Sequence, residues 1–245
     1  MRFVPTALLV AGMTACGAAP PESVVPSAFR TAPDATETGR RSAPEPPVGP
    51  RPRVVILGDS LTAGLGLPEH EAFPARLQAR VDAAGWPIEI APRGVSGDTT
   101  AGGLRRLDWA IDGDVHMLVV ALGGNDGLRG LPVEQMHDNL AAIVDRAGER
   151  DIAVVLAGME APPNFGAIYT SQFREVFRTL AETRDVVLIP FLLEGVAGEP
   201  DLNQRDGIHP NAAGAERVAS HLWSTLEPLL AEIATGSAVR LEGAQ

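Results

Sequence analysis

From residue 53 onward, short apolar runs alternate with longer amphipathic stretches. The runs at 53–57, 88–91, 117–122, 152–157 and 186–189 are four to six residues long and rich in Val and Ile, which predicts strands buried on both faces. Apolar residues recur at helical spacing over 72–84, 99–110, 133–149, 171–183 and 212–230, which predicts five helices between and after them. Strands that alternate with helices form a parallel sheet, and right-handed crossovers cover both of its faces. The expected class is therefore α/β, a three-layer α/β/α sandwich around a five-stranded parallel sheet. In such folds the loops after the strands meet at the carboxyl edge of the sheet, where ligands collect.

Upstream of residue 53 this pattern is absent. Met1-Arg2 leads into the largely apolar stretch 3–13, too short to cross a bilayer, which reads as a secretory signal. Met13-Thr14-Ala15-Cys16 resembles the lipobox of bacterial lipoproteins and makes Cys16 the candidate for lipidation, although Met13 replaces the usual leucine. Residues 17–52 are dense in Pro, Ala, Ser, Thr and Glu, with apolar residues too scattered to offset the cost of ordering. The expected organisation is a signal segment over 1–16, a disordered tether over 17–52, one catalytic domain over 53–232 and a tail over 233–245.

Composition narrows the chemistry. A net charge of −11 repels polyanions, so nucleic acid is not an expected partner. The chain has no lysine, which excludes a Schiff-base lysine and the lysine of a phosphate-binding P-loop. With one cysteine, no internal disulfide forms. No His/Cys/Asp cluster has zinc-like spacing, so neither a metal nor another cofactor is expected. The expected state is a monomer, with membrane contact only through the lipidated amino terminus.

Four segments, three of them at strand ends and one near the carboxyl end of the chain, carry candidate chemistry. Gly58-Asp59-Ser60-Leu61 follows the first strand and presents the Ser60 hydroxyl where a nucleophile would sit. Taken alone it is also an ordinary strand-ending turn, and Thr62 stands where a G-x-S-x-G elbow has glycine. Gly94-Val95-Ser96-Gly97-Asp98-Thr99 follows the second strand, with an unobstructed backbone N–H at Gly97 and a candidate helix cap in Asp98 or Thr99. Gly123-Gly124-Asn125-Asp126 follows the third and offers the Asn125 amide. In Asp206-Gly207-Ile208-His209-Pro210, a carboxylate three residues before an imidazole can fix its tautomer and leave Nε2 free to take a proton from serine. His70, His116, His137 and His221 lack such a partner and read as packing or solvent residues.

Together these blocks resemble those of the SGNH, or GDSL, hydrolase family over roughly residues 53–230, in particular its bacterial arylesterase and thioesterase I/lysophospholipase branch. The resemblance implies a flavodoxin-like SGNH hydrolase fold and a serine esterase acting through an acyl-enzyme on carboxylic esters, with thioesters and lysophospholipids as further substrates. It implies Ser60, His209 and Asp206 as the catalytic triad, and Ser60, Gly97 and Asn125 as oxyanion-hole donors. Pro163-Asn164-Phe165-Gly166 with Tyr169 resembles the mobile wall of the acyl site in that branch. Asp59, Pro163, Phe165, Tyr169 and Ile208 are accordingly the substrate-binding candidates. Two other readings stand beside this one: a polysaccharide O-acetyl esterase, and a non-catalytic lipoprotein that binds a ligand in a decayed cleft. The first would use aromatic rings for sugar stacking, but Trp86, Trp109 and Trp223 lie in segments that read as packing.

Overall fold

The computed structural model describes residues 51–236. The signal segment, Cys16, nearly all of the expected tether and the end of the tail lie outside the described residues. Five strands form one parallel sheet: β1 (Arg53–Gly58), β2 (Glu89–Gly94), β3 (Val115–Ala121), β4 (Ala153–Ala157) and β5 (Val187–Ile189), in the order β2-β1-β3-β4-β5. This is the doubly wound, flavodoxin-like order expected from the sequence, and its switch point lies where the chain leaves β1 for β2 on one side and β3 on the other. Val54 to Leu57 and Met117 to Val119 are fully buried, which is why these strands read as unbroken apolar runs.

The pairing register sets the site. Gly58 at the end of β1 lies opposite Gly94 of β2 and Ala121 of β3, so three adjacent strands end level with one another. The loops carrying Ser60, Gly97 and Asn125 leave the sheet side by side.

On one face α2 (Phe73–Ala83) packs on α8 (Ala212–Ala234), and Trp86 stacks on Trp223 with ring centroids 5.8 Å apart. On the other, α6 (Val133–Gly148) packs on α3 (Thr100–Arg105) and α7 (Ala167–Arg184). The outer edge of β2 is closed by a side chain: Gln78 Oε1 accepts from Ile90 N–H at 2.7 Å and its Nε2 donates to the Ile88 carbonyl at 3.1 Å. Pro92 removes a further donor from that edge, which blocks strand addition.

Four expectations change. The helix expected over 99–110 is two pieces, α3 and α4 (Leu107–Ala110), broken at Arg106 (φ −106°, ψ 8°). Gly102 and Gly103 weaken the helix, and the Arg106 side chain turns inward to bind carbonyls beneath the site. Helix α7 starts at Ala167 rather than at 171, and α8 runs past the boundary drawn at 232 to Ala234. Trp109 is not a packing residue: it is 65% exposed, with the Arg93 guanidinium 5.2 Å from its ring centroid.

Candidate active site

Ser60 does not sit in an open loop. It is the first residue of a one-turn helix, α1 (Ser60–Ala63), and Asp59 Oδ1 caps that turn by accepting from Leu61 N–H at 3.0 Å. The Ser60 hydroxyl lies 2.8 Å from His209 Nε2, and His209 Nδ1 lies 2.7 Å from Asp206 Oδ2. Asp206 Oδ1 also accepts the backbone N–H groups of His209 (3.0 Å) and Ile208 (2.9 Å). These two backbone bonds, followed by the bond from the imidazole, pull the Asp206 carboxyl down from 3.8 to about 2. Its charge holds the proton on Nδ1 and turns the bare Nε2 lone pair toward Ser60.

A cavity of about 230 Å³ opens over this array, bordered by Ser60, Ser96, Gly97, Asn125 and His209. Gly97 has φ +80°, in the left-handed region, and its carbonyl is held by Arg129 Nη2 at 2.7 Å. Asn125 lies in the first turn of α5 (Gly124–Leu128), which Gly123 enters at φ +109°. A Cβ on Gly123 would crowd the ring of Phe177 as well as strain the backbone. The Asn125 amide donates to Asp59 Oδ2 at 3.0 Å and to the Asp98 carbonyl at 2.9 Å. Both amide hydrogens are thus engaged, and a developing oxyanion must share or displace one of them.

Asp59 borders the cavity but is buried with both oxygens occupied, so it positions Leu61 and Asn125. Burial pushes its carboxyl from 3.8 up to about 6, against the opposing pull of Leu61 N–H, of nearby His209 and of the Asn125 amide.

The walls of the cavity are Leu65, Leu128, Met159, Leu193 and Ile208, an apolar lining suited to an acyl chain. Ile208 stands where expected, but Pro163, Phe165 and Tyr169 do not border the cavity. Phe165 instead sits against Gly130 and tilts onto Tyr169 at 5.4 Å, and Tyr169 Oη donates to the Leu131 carbonyl at 2.8 Å. Tyr169 in turn packs on Phe173, with ring centroids 6.2 Å apart.

Several supporting residues escape a reading of the sequence. Arg106 donates to Asp98 Oδ2 (2.7 Å), the Arg93 carbonyl (2.9 Å) and the Gly58 carbonyl (2.7 Å), tying the ends of β1 and β2 to the Gly97 loop. Thr99, not Asp98, caps α3, accepting from Gly102 N–H at 3.4 Å. Buried Asp126 accepts from Thr100 N–H (2.9 Å) and Thr100 Oγ1 (2.6 Å), fixing α5 to α3, and burial raises its pKa. The Thr99 cap is a local bond and one of the two caps expected from the sequence, whereas no local signal marks the bonds of Arg106 to the β1 and β2 carbonyls or of Asp126 to Thr100, which join segments 13 to 48 residues apart. Among the other histidines, His221 binds the Phe191 carbonyl at 2.9 Å, and none of the four borders the cavity.

Residues 56–217 match the GDSL-like Lipase/Acylhydrolase family, a span that contains all four segments of this site. The chain belongs to that family. Among its GDSL-like relatives is esterase TesA of Pseudomonas aeruginosa, 40% identical over 178 residues that cover 72% of this chain and 89% of TesA. Thioesterase 1/protease 1/lysophospholipase L1 of Escherichia coli K12 is 34% identical over 178 residues, 72% of this chain and 84% of that one. The solved structure of esterase EstA from Pseudoalteromonas sp. superposes with a TM-score of 0.70 at 33% identity, covering 73% of this chain and 98% of EstA. AlinE4, an SGNH-hydrolase family esterase, gives 0.62 at 41% identity over 76% of this chain and 98% of its own. This GDSL-like acylhydrolase is an ester-hydrolysing enzyme with the SGNH fold.

Proposed function

We propose that the protein is a serine esterase in which Ser60 Oγ attacks the acyl carbonyl while His209 Nε2 takes its proton. The observation that carries this reading is the unbroken chain from Ser60 Oγ through His209 to Asp206, with contacts of 2.8 and 2.7 Å. The tetrahedral oxyanion faces the N–H groups of Ser60 and Gly97 and the Asn125 amide. His209 then protonates the leaving alcohol or thiol, and water attacks the Ser60 ester by the same base to release the acid.

The apolar walls favour acyl groups over sugars. Trp86 and Trp223 are spent on each other and Trp109 lies outside the cavity, so among the described residues no tryptophan platform borders Ser60. The names of the relatives support esters, thioesters and lysophospholipids as the substrate range. Export is part of the same reading, from the apolar stretch 3–13, and a lipid on Cys16 would anchor the enzyme to a membrane.

Hydrolysis of p-nitrophenyl esters, acyl thioesters and lysophospholipids by the purified protein, each compared with Ser60→Ala, tests the proposal. The expected result is turnover on at least one class that disappears in the variant. No turnover on any class, or equal turnover by Ser60→Ala, would overturn it.

A further inference from the structure

Seven large apolar side chains are exposed among the described residues. One, Trp109, lies under Arg93. The other six are Leu65, Val95, Leu128, Phe165, Ile168 and Ile208, and they come from segments at the carboxyl edge of the sheet. Single exposed apolar residues need no explanation, but six on one rim do.

Leu65, Leu128 and Ile208 are walls of the Ser60 cavity and are also 43–47% exposed, so each turns one side to the cavity and the other to water. Val95 immediately precedes Ser96 and Gly97 on the same border. Phe165 rests on Gly130, two residues beyond Leu128, and against Tyr169; Ile168, between them in sequence, is 78% exposed. The apolar walls of the cavity thus have exposed apolar neighbours on this edge, with the Arg129 guanidinium, held on the Gly97 carbonyl, among them.

We propose that this rim docks the enzyme onto the surface of a zwitterionic lipid assembly, from which acyl chains pass into the cavity. The inference rests on Ser60 being the nucleophile for acyl esters. A chain leaving the assembly would then pass these apolar side chains and the apolar cavity walls before its carbonyl reached Ser60, whereas a water-soluble ester needs no such rim. The chain's net charge of −11 opposes an anionic surface, so burial of apolar area supplies the attraction.

The experiment uses the full chain with Cys16→Ser, which carries no acyl group, and its V95S/I168S variant; neither substituted rim residue borders the cavity. Sedimentation with phosphatidylcholine vesicles should show binding that changes little between about 0.05 and 0.5 M salt. The variant should bind at least about tenfold more weakly, as expected for removing two exposed aliphatic side chains from the contact. Its turnover of monomeric p-nitrophenyl butyrate should be unchanged, while hydrolysis of lysophosphatidylcholine micelles falls by a similar factor. No vesicle binding, equal binding by the variant, or binding confined to anionic vesicles would overturn the proposal. Inactivity of the parent chain on p-nitrophenyl butyrate would instead refute the esterase reading, because vesicle binding is measured separately.

Discussion

Asp59→Asn should change stability in opposite directions at pH 4 and pH 8. The Asp59 carboxyl is buried, and its pKa is raised from 3.8 to about 6, chiefly by desolvation. A raised folded-state pKa means that the protonated group favours folding: this contribution is fully present below the unfolded value of 3.8 and is lost as pH rises through about 6. About two pH units at ~1.4 kcal/mol each amount to ~3 kcal/mol of stability forgone at pH 8. Asparagine removes that charge. Its single oxygen cannot accept from both Leu61 N–H and the Asn125 amide, however, and one lost buried hydrogen bond costs ~1–2 kcal/mol. The variant should therefore be more stable than wild type by ~1–2 kcal/mol at pH 8 and less stable by a similar amount at pH 4. Urea unfolding of both proteins at the two pH values, with m-values compared, measures this directly. A stability difference that is the same at both pH values would refute the reasoning. Turnover of Asp59→Asn should fall as well, because Asn125 loses the carboxylate that orients its amide.

Further outcomes follow from the same geometry. Asn125→Ala should lower kcat by about two to three orders of magnitude, ~3–4 kcal/mol, with little change in KM; a loss of tenfold or less would remove it from oxyanion stabilisation. Asp206→Asn should keep the fold and lower kcat by about 10⁴, since the wrong imidazole tautomer would face Ser60. The depressed Asp206 pKa contributes stability that is present above 3.8 and lost only as pH falls through about 2, so wild-type activity losses above pH 4 should not trace to this group. Arg106→Ala strands the mostly buried Asp98 carboxylate and two carbonyls, and should cost ~3–5 kcal/mol in a calorimetric unfolding scan. Arg106→Lys should recover only part of this, because an ammonium cannot reproduce the planar fork that reaches all three acceptors.

The strands were legible because a strand buried on both faces has to be apolar throughout, and β1 and β3 are buried in that way. Three of the polar segments were legible because each interrupts such a run at its carboxyl end, and the fourth, Asp206 to Pro210, because a carboxylate and an imidazole stand three residues apart just before α8. The helix expected over 99–110 was misread at Arg106, whose value lies in carbonyls of β1 and β2 that become its neighbours only through the register Gly58↔Gly94. The role of Asp59 was only partly legible: it borders the cavity as its motif position suggested, but its two oxygens are engaged by Leu61 and Asn125, the second of which lies 66 residues away. The resemblance that placed Pro163, Phe165 and Tyr169 in the acyl wall carried sequence positions without ring packing. Ring contacts among Phe165, Tyr169 and Phe173 decide where that segment lies.

The central claim is that Ser60 receives the acyl group. Intact-mass measurement after treatment with a fluorophosphonate, followed by peptide mapping, tests it most directly. The account predicts one phosphonyl adduct per chain, located on Ser60, complete loss of ester hydrolysis at full labelling, and no adduct on Ser60→Ala. An adduct that persists in Ser60→Ala, or an unlabelled protein that still hydrolyses esters in excess reagent, would contradict it.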